Sequence, residues 1–410
     1  MHLYTGMDRM NVRKCQVSSL GIIYIVFFAL YLVSSVANAR EWYIKPDFNL
    51  RLEYDDNIFL RREDASDIFG LRASFNAKAG TRTETSNIDL STRINVYEYW
   101  GKESDALNRV DVFLFGHSDF MLTERSSLGL DAAYIHDNSV TSELDTTGLT
   151  QTPVPREQFN IAPHWSYTLT ERQFIQAGYT HEEVDYDNTA NTRLTSYKTD
   201  SINLSYSYQW LDNLQQSISF SSLWYQLSDF NRLTSNYNIS SGLEYSYSET
   251  LSLNFMLGVR LTGTTTSFND FEIEDSSVGP LFGFGFNKQF EYGSLGFDYN
   301  RSITPSSVGQ LLQVDRINIT SLYDVTEHLG LMLTASISKT DEGNNNVRNN
   351  NRIYYAVEPK IIWHFNRHTS LSCSYLFRMQ DFDNLGNDAV SNSVYMAINY
   401  QWDQLSTNNF

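Results

Sequence analysis

The chain of 410 residues is poor in cysteine, with Cys15 and Cys373 as its only two. Cys15 falls in the N-terminal segment described next, so the rest of the chain holds one cysteine and forms no intramolecular disulfide. A small secreted domain stapled by disulfides is therefore excluded. Cys15 also precedes the apolar run of that segment, where the lipid-bearing cysteine of a lipoprotein cannot lie.

After Val36 the sequence lacks any apolar run long enough for a transmembrane helix. The one long run, from Leu20 to Val36, follows three basic residues between positions 9 and 14 and is followed by Ala37-Asn38-Ala39. This order is typical of a secretory signal peptide that is cleaved near Ala39. A helical anchor is the alternative, but the run is short and ends in a cleavage signal.

Charge is also scarce, since charged residues make up only 19% of the chain and acidic residues outnumber basic ones by 48 to 30. The net charge of −18 argues against nucleic acid as a partner. Aromatic residues, by contrast, make up 14% of the chain and include 26 tyrosines. Few charges and many aromatic residues without helical spans indicate strands whose alternate residues face lipid.

Alternation of apolar and polar residues dominates the sequence from Trp42 to Trp402. It is clearest over 202–210, 251–261 and 394–402, where every second residue is apolar and several are Tyr or Trp. The intervening residues are mostly Ser, Asn, Gly and Thr. The polar face of a soluble β-sandwich or β-helix, the alternative, would be richer in Lys, Glu and Arg. The pattern therefore favours a membrane barrel with a wet lumen and aromatic girdles.

The connections alternate in length, as short turns such as Leu122–Arg125 are followed by long polar segments such as 137–157 and 263–277. Short periplasmic turns and long extracellular loops are typical of outer-membrane barrels. The sequence thus predicts an all-β, antiparallel, up-and-down transmembrane barrel of about 18 strands, or 16 if 41–66 and 85–125 are misjudged. The predicted organisation is a signal peptide at 1–39, a barrel at 40–402 in the cell outer membrane, and a short C-terminal tail at 403–410.

The alternation also predicts which charged side chains face the lumen. If the apolar alternates face lipid, basic and acidic residues occur inside in nearly equal numbers, so the net negative charge belongs to loops and turns. The residues expected to line the lumen are Arg72, Arg93, Arg260, Arg316, Lys360, Arg378, Glu244, Asp298 and Glu358. A nearly neutral wall rich in hydroxyls and amides suits uncharged or weakly charged solutes such as glycans. A slip of one residue would turn each strand inside out.

Catalytic motifs are absent: the sequence has no G-x-S-x-G, H-E-x-x-H or cysteine cluster. Gly116-His117-Ser118-Asp119 contains three catalytic residue types, but neighbours on a strand point to opposite faces and cannot form a triad. We expect His164, His328, His364 and His368 at strand ends or turns. The sequence predicts neither an enzyme nor a cofactor.

Acidic triplets recur near the predicted outer strand ends, at Asp55-Asp56-Asn57, 185–188 and 381–384. Their oxygen atoms suit Ca²⁺, or lipopolysaccharide phosphates bridged through divalent cations. Asx turns that start the loops are the simpler interpretation, so no metal site is predicted.

The last predicted strand contains Tyr395-x-Ala397-x-x-Tyr400-x-Trp402, which resembles the terminal signal that the barrel-assembly machinery reads. It departs from that signal in having Ala397 in place of the usual Gly, and in the residues that follow Trp402. The expected partners are this machinery, outer-membrane lipid and lipopolysaccharide. A TonB-dependent receptor is not expected, because the first predicted strand follows the predicted signal peptide directly and leaves no room for a plug domain between them.

The string Tyr54-Asp55-Asp56-Asn57-Ile58-Phe59, at the end of the first predicted strand, resembles the opening of one family. It is the family of outer-membrane β-barrels (beta-barrel porin-2-like) found with exopolysaccharide and exosortase (PEP-CTERM) gene clusters. The resemblance implies a role in exopolysaccharide production or export, with polysaccharide and other export components as partners, and it implies no catalytic residues.

Three functions remain open at this point. The leading hypothesis is a non-enzymatic channel or accessory barrel for exopolysaccharide biosynthesis and export. The first alternative is a general diffusion porin for small hydrophilic solutes. The second is a surface-display or adhesion barrel that acts through its loops, above all 137–157.

Overall fold

A computed structural model describes residues 40–140, 142, 153–187, 194–227, 232–268, 271–307, 309–341, 351–382 and 388–409. Within these residues, eighteen antiparallel strands form one closed wall, which confirms the predicted fold class and strand number. A nineteenth, short strand extends the last one. No helix in the described ranges is long and apolar enough to cross a membrane.

The first ten strands are β1 (Arg40–Asp55), β2 (Ile68–Arg82), β3 (Ser86–Gly101), β4 (Arg109–Thr123), β5 (Ser126–Asn138), β6 (Pro155–Thr170), β7 (Gln173–Tyr186), β8 (Tyr197–Leu211), β9 (Leu214–Leu227) and β10 (Arg232–Ser248). The remaining strands are β11 (Leu251–Phe268), β12 (Phe271–Phe290), β13 (Gly293–Ser306), β14 (Gln310–Thr326), β15 (Leu329–Asp341), β16 (Arg352–His364), β17 (Thr369–Phe382), β18 (Ala389–Gln401) and β19 (Leu405–Asn409). Each strand pairs with its neighbours in chain order.

The barrel closes where β1 meets the C-terminal strands. Asp47–Asp55 pairs with 393–401 of β18, and Arg40–Ile44 pairs with 405–409 of β19. Strands β18 and β19 are therefore one edge interrupted at 402–404. Most of the segment that the sequence suggests as a tail thus lies in the wall, next to the N-terminal end of β1.

The outer surface of the barrel carries the apolar alternates of every strand. On β8, Leu204 and Trp210 are exposed on the outside, while Asn203 and Ser205 face the lumen in register with serines of β9. Aromatic pairs mark the rim where the short turns lie, including Tyr208 with Trp210 at 4.8 Å and Tyr400 with Trp402 at 4.7 Å between ring centroids. Phe69 stacks on Trp100 at the opposite, long-loop rim. The aromatic residues thus form girdles at both ends, as in a transmembrane barrel.

The predicted loop 137–157 agrees with the end of β5 at Asn138 and the start of β6 at Pro155, but the predicted loop 263–277 is wrong. There β11 continues to Phe268 and β12 begins at Phe271, in register from Leu251↔Lys288 to Phe268↔Phe271. Four threonines, at 262 and 264–266, lie in this part of β11. Thr is polar, which made the segment resemble a loop, but it is β-branched and favours strands.

The ladder between β12 and β13 is unusually short. It joins only Gly283–Phe290 to Gly293–Asn300. Beyond it, β12 remains paired with β11 on its other side, and β13 remains paired with β14 up to Ser306. No strand pairing therefore joins 271–282 to 301–306.

Three clusters of buried apolar residues lie at the long-loop rim rather than in the middle of the barrel. The segment 56–67, here the first loop, contributes to two of them. Phe59 packs with Tyr97, Tyr99 and Leu107, whereas its neighbour Leu60 packs with Tyr354 and Ala389. Leu60 takes a φ of 49°, which turns two successive apolar side chains in different directions. The first loop is thereby held against the inner wall of the mouth.

The tip of β13 and β14 packs against the third cluster. This tip, residues 301–314, is called the inward hairpin. The Tyr225 hydroxyl donates a hydrogen bond of 2.7 Å to the Ser306 carbonyl, and the Thr195 amide donates one of 2.7 Å to the Ser307 carbonyl. Leu311 packs on the cluster, which includes Leu227. Because Tyr225 lies on β9, the hairpin reaches past β10–β12 across the barrel mouth.

Candidate functional site

The inner face of the wall is the candidate site, and its register places all nine candidate lumen residues on that face. Their cross-strand partners on the same face are as follows: Arg72 with Arg51, Arg93 with Asn76, Glu244 with Asn254, Arg260 with Asn238, Asp298 with Gly285, Arg316 with Asn300, Glu358 with Thr334, Lys360 with Met332, and Arg378 with Ser391. A role for any of them in solute passage remains a prediction.

Inward charges are spread unevenly around the lumen. Many lie on β1–β6 and on β16–β17, whereas the inward positions of β8 and β9 carry none. Along β6–β10 a cavity of about 490 Å³ is lined mostly by hydroxyl and amide groups, with Phe174 and Ile175 and a single carboxylate, that of Glu244. Its polar lining includes Ser205, Ser207, Gln215, Ser217 and Ser219. This side of the lumen matches the hydroxyl-rich wall that the sequence predicts.

The opposite side holds a cavity of about 380 Å³, the basic pocket, which is lined by Arg51, Arg72, Lys360 and a single carboxylate, that of Asp47. The guanidinium of Arg51 lies 3.6 Å from the centre of the Tyr395 ring and 2.5 Å from the Glu53 carboxylate. Cation–π contact and ion pairing together fix its orientation.

Glu358 organises the other half of the basic pocket. It accepts hydrogen bonds from the Tyr395 hydroxyl and, at 2.8 Å, from Ser374, and its carboxylate lies 3.0 Å from the Lys360 ammonium. Ala397, directly opposite Arg51 in the ladder, is small enough to leave space beside that arginine. Two residues of the C-terminal motif, Tyr395 and Ala397, therefore shape the lumen, while Tyr400 and Trp402 face outwards.

Arg72 is the least compensated charge of the pocket. It stands directly opposite Arg51, and like charges in that relation repel each other. Within the described part of the chain it makes no ion pair, and its Nε atom is buried without a hydrogen-bond partner. The pocket is therefore suited to an anionic group rather than to a cation.

A second polar group, the His–Asp cluster, consists of His117 and Asp119 on β4, Asp131 on β5 and His164 on β6. His117 contacts Asp131 through Nδ1 at 2.6 Å and Asp119 through Nε2 at 2.7 Å. His164 approaches the same two carboxylates at 3.3 and 3.4 Å. The imidazoles stack at 6.5 Å, and Gly129 leaves the space that His164 occupies.

The hydrogen bonds of this cluster require protons on the imidazole nitrogens. A carboxylate oxygen only accepts hydrogen bonds, so an imidazole that contacts carboxylates through both nitrogens must carry both protons. His117, with both nitrogens protonated, then carries a positive charge that offsets one of the two negative charges of Asp119 and Asp131. Asp89 faces His117 from β3 and is itself held by Lys78 at 3.1 Å and by the Tyr43 hydroxyl.

The expected position of His164 at a strand end is wrong, because it lies inside β6, which runs from Pro155 to Thr170. His328 lies in a turn, His364 ends β16 and His368 precedes β17, as expected. Ser118 faces away from the cluster and donates to the Leu130 carbonyl, so no Ser–His–Asp triad forms there. The signal that reveals the cluster is the spacing of His117 and Asp119, two residues apart and thus on one face.

The family-like string forms a latch where the barrel closes. Asp55 accepts hydrogen bonds from Arg378 at 2.6 Å and Ser391 at 2.9 Å, and Asp56 binds the Asn392 amides. Asn57 donates to the carbonyls of Arg61 and Val390. Tyr54 is exposed on the outer surface, while Ile58 packs beside Phe59. The latch ties the first loop to β17 and β18.

The first acidic triplet, Asp55-Asp56-Asn57, is part of this latch, and its side chains bind other residues of the protein. Among the residues that the structure covers, no group of three or more His, Cys, Asp or Glu side chains is arranged to hold a metal ion. Residues 188 and 383–384 of the other two triplets lie outside the described residues.

Comparisons with known proteins give structural likeness only. No family model and no curated protein matches the sequence. The crystal structure of Acinetobacter baumannii OccAB2 is 11% identical, with a TM-score of 0.48 over 88% of this chain and 98% of that one. Pseudomonas aeruginosa OccK3 (OpdO) is 11% identical, with a TM-score of 0.45 over 88% and 96%. Pseudomonas aeruginosa OpdK, solved with vanillate, is 11% identical, with a TM-score of 0.45 over 89% and 99%. At such low similarity these matches carry no functional information about this chain.

Proposed function

We propose that this protein is a passive outer-membrane channel for small hydrophilic solutes, the function of a general diffusion porin. The observation that carries the proposal is the closed wall of eighteen strands, apolar and aromatic outside and rich in hydroxyl and amide groups inside. An apolar exterior suits lipid, and a barrel of this strand number encloses water unless it is plugged.

The barrel mouth limits the size of the solute. The first loop and the inward hairpin both pack inside the long-loop rim, held by the latch and by the Tyr225–Ser306 hydrogen bond. A polymer would have to displace both segments, whereas small solutes pass between ordered side chains. This supports the porin over the exopolysaccharide channel that the sequence resemblance suggests, and export remains a prediction without support in the structure.

The chemical groups of the inner wall determine which solutes the channel suits. Hydroxyl and amide groups exchange hydrogen bonds with neutral polar solutes without binding them tightly. In the basic pocket Glu53 and Glu358 pair with Arg51 and Lys360, whereas Arg72 has no carboxylate partner among the described residues, which favours weakly anionic solutes. The display alternative depends on loop 137–157, most of which lies outside the described residues.

The purified mature protein, refolded in detergent and placed in planar bilayers and liposomes, tests the proposal. We expect steady ion conductance and liposome swelling with arabinose that falls for raffinose and vanishes for dextran. A barrel that never conducts when purified alone would contradict the porin proposal and favour an accessory role in exopolysaccharide export. Dextran permeation as fast as that of raffinose would instead favour the polymer channel.

A further inference from the structure

The short ladder between β12 and β13 leaves an interruption in an otherwise closed wall. On one side stand 278–282 of β12 and on the other 301–305 of β13, and no strand pairing joins them. The lower end of this interruption is closed by Phe282, whose ring lies 5.1 Å from that of Tyr299 and 4.7 Å from the Arg301 guanidinium. The interruption is called the side gap.

The side gap is encoded in the sequence. The chain has only seven prolines, and Pro280 and Pro305 stand on its two edges. Proline has no backbone N–H to donate to a ladder, so within sheets it is confined to edges, strand starts and bulges. The two strands therefore part where each of them holds a residue unsuited to pairing.

The gap extends into the apolar outer surface. Val278 on β12 and Leu257 on neighbouring β11 are 70% and 72% exposed, and both lie on the lipid-facing side. Leu257 is in register with Phe282, at the level where the ladder to β13 stops. Unpaired strand edges do not occur against lipid unless they line a cavity or contact protein. An opening at this level would connect the lumen with the lipid phase.

Arg260 spans the lumen side of the gap. Its side chain on β11 passes over Gly279 of β12, where a Cβ atom would lie 2.8 Å from the Arg260 Nε atom. It then donates a hydrogen bond of 3.0 Å to the Gln313 side chain on β14. Its other hydrogen bonds, to Thr262 and Ser277, are also to neutral groups. Only 6% of Arg260 is exposed, so a buried cation bound by neutral partners lies at the inner end of the gap.

We propose that the side gap is a lateral port through which amphipathic anions, with an apolar body and a carboxylate head, pass between the lumen and the lipid. Phe282 and Val278 receive the apolar body. Arg260 receives the carboxylate, which replaces Gln313 as its partner. This route goes beyond the proposed porin function, because a sealed porin exchanges solutes only through its two ends.

Quenching measurements test whether lipid reaches the lumen wall at the gap. Single cysteines are placed at Leu281, which faces inwards at the gap, and at Ser240, in a Cys373→Ser background, and labelled with bimane. Ser240, Gly258 and Leu281 form one row across β10, β11 and β12, so the two labels share the same height and face. Phe284→Cys serves as the lipid-facing reference.

In liposomes of brominated phospholipid we expect quenching at Leu281→Cys to approach that at Phe284→Cys, while Ser240→Cys stays unquenched. Equal, low quenching at Leu281→Cys and Ser240→Cys would overturn the port. This measurement requires no solute and is independent of channel activity, so it separates failure of the port from failure of the porin proposal.

Closing the gap tests its function. Extending the register beyond Gly283↔Asn300 places Leu281 opposite Ser302, so Leu281→Cys with Ser302→Cys forms a disulfide only if the edges meet. We expect the oxidised protein to lose at least ten-fold in the transfer of 11-(dansylamino)undecanoate into liposomes, and to keep its KCl conductance. Unchanged transfer in the oxidised protein overturns the proposal.

A variant that removes the charge of Arg260 provides a second test, which does not depend on forming the disulfide. Arg260→Gln should slow the transfer of the dansyl carboxylate several-fold and leave that of its neutral amide unchanged. Equal effects on the acid and the amide would exclude Arg260 as the carboxylate site and overturn the proposed selectivity.

Discussion

The guanidinium of Arg378 on β17 lies 2.6 Å from the carboxylate of Asp55 on β1, across the strand that closes the barrel. Both side chains are almost completely buried, and Ser391 of the intervening β18 donates to the same carboxylate. The ion pair therefore joins the first, the last and the next-to-last strands of the wall at the level of the mouth.

Replacing Arg378 with Ala should destabilise the barrel by about 3–5 kcal/mol, because Asp55 is left buried and uncompensated. The measurement is the urea midpoint of the heat-modifiable band on a gel. Lys288, near the short-turn rim, donates a hydrogen bond to the Thr250 hydroxyl and provides the control, and Lys288→Ala should shift stability by less than about 0.5 kcal/mol. Equal midpoints for the two variants would show that the latch does not stabilise the closure.

Replacing Arg72 with Gln should reduce the preference of the channel for anions. Removing one unit charge about 8 Å from an ion in water costs about 0.5 kcal/mol, or roughly a two-fold fall in the chloride-to-potassium permeability ratio. Reversal potentials in a KCl gradient measure this ratio. Arg72 is suited to the test because its removal leaves no carboxylate without a partner. Arg125→Gln, in an exposed turn, is the matched control. An unchanged ratio would remove the basic pocket from the path of ions.

The His–Asp cluster should make ion selectivity depend on pH. Over about pH 5–8 the charge of the cluster depends on the proton of His117, whose imidazolium offsets one of the two carboxylates it contacts, so a rise in pH makes the cluster more negative. The potassium-to-chloride permeability ratio should therefore rise with pH. The double variant His117→Asn with His164→Asn should show the high ratio at all these values. A wild-type ratio that stays constant would place the cluster outside the ion path.

Replacing Gly129 with Ala should disconnect His164 without removing it. The added Cβ would lie 2.1 Å from the His164 Nε2 atom and 2.6 Å from Asp119, so the imidazole must rotate away. We expect part of the pH dependence to disappear while the folded, heat-modifiable band persists. Gly116→Ala, whose Cβ meets only a carbonyl at 4.0 Å, is the control. Full pH dependence in Gly129→Ala would show that His164 is not needed.

Replacing Tyr225 with Phe should loosen the inward hairpin. The change removes one buried hydrogen bond to the Ser306 carbonyl, worth about 0.5–1.5 kcal/mol, so the hairpin should leave its position roughly two- to ten-fold more often. Single-channel recordings should show more frequent high-conductance periods. Tyr237→Phe, on the outer surface, should record as wild type. Identical records for both variants would mean that the hairpin does not limit conductance.

Much of the wall could be predicted from the sequence, because a strand that separates lipid from water must alternate. Ile202–Trp210 shows this pattern without exception and lies wholly within β8. The pattern fails where both faces are polar, as at 262–267, and there a strand resembles a loop. Strand number and inner face thus follow from local composition.

The sites could not be predicted in the same way, because they depend on which strands lie side by side. Asp131 lies on the inner face, but its partners His117 and His164 come from two neighbouring strands whose relative register the sequence does not state. Similarly, Asp55 and Arg378 are more than three hundred residues apart. Their pairing exists only because the barrel closes, which no local pattern expresses.

The pairing of Arg40–Ile44 with 405–409 makes the order of strands circular. A short linker could join the two ends, and new ends could be opened at an exposed turn such as 124–125 without removing a single ladder. For this molecule, then, the choice of first strand is a matter of biosynthesis rather than of architecture.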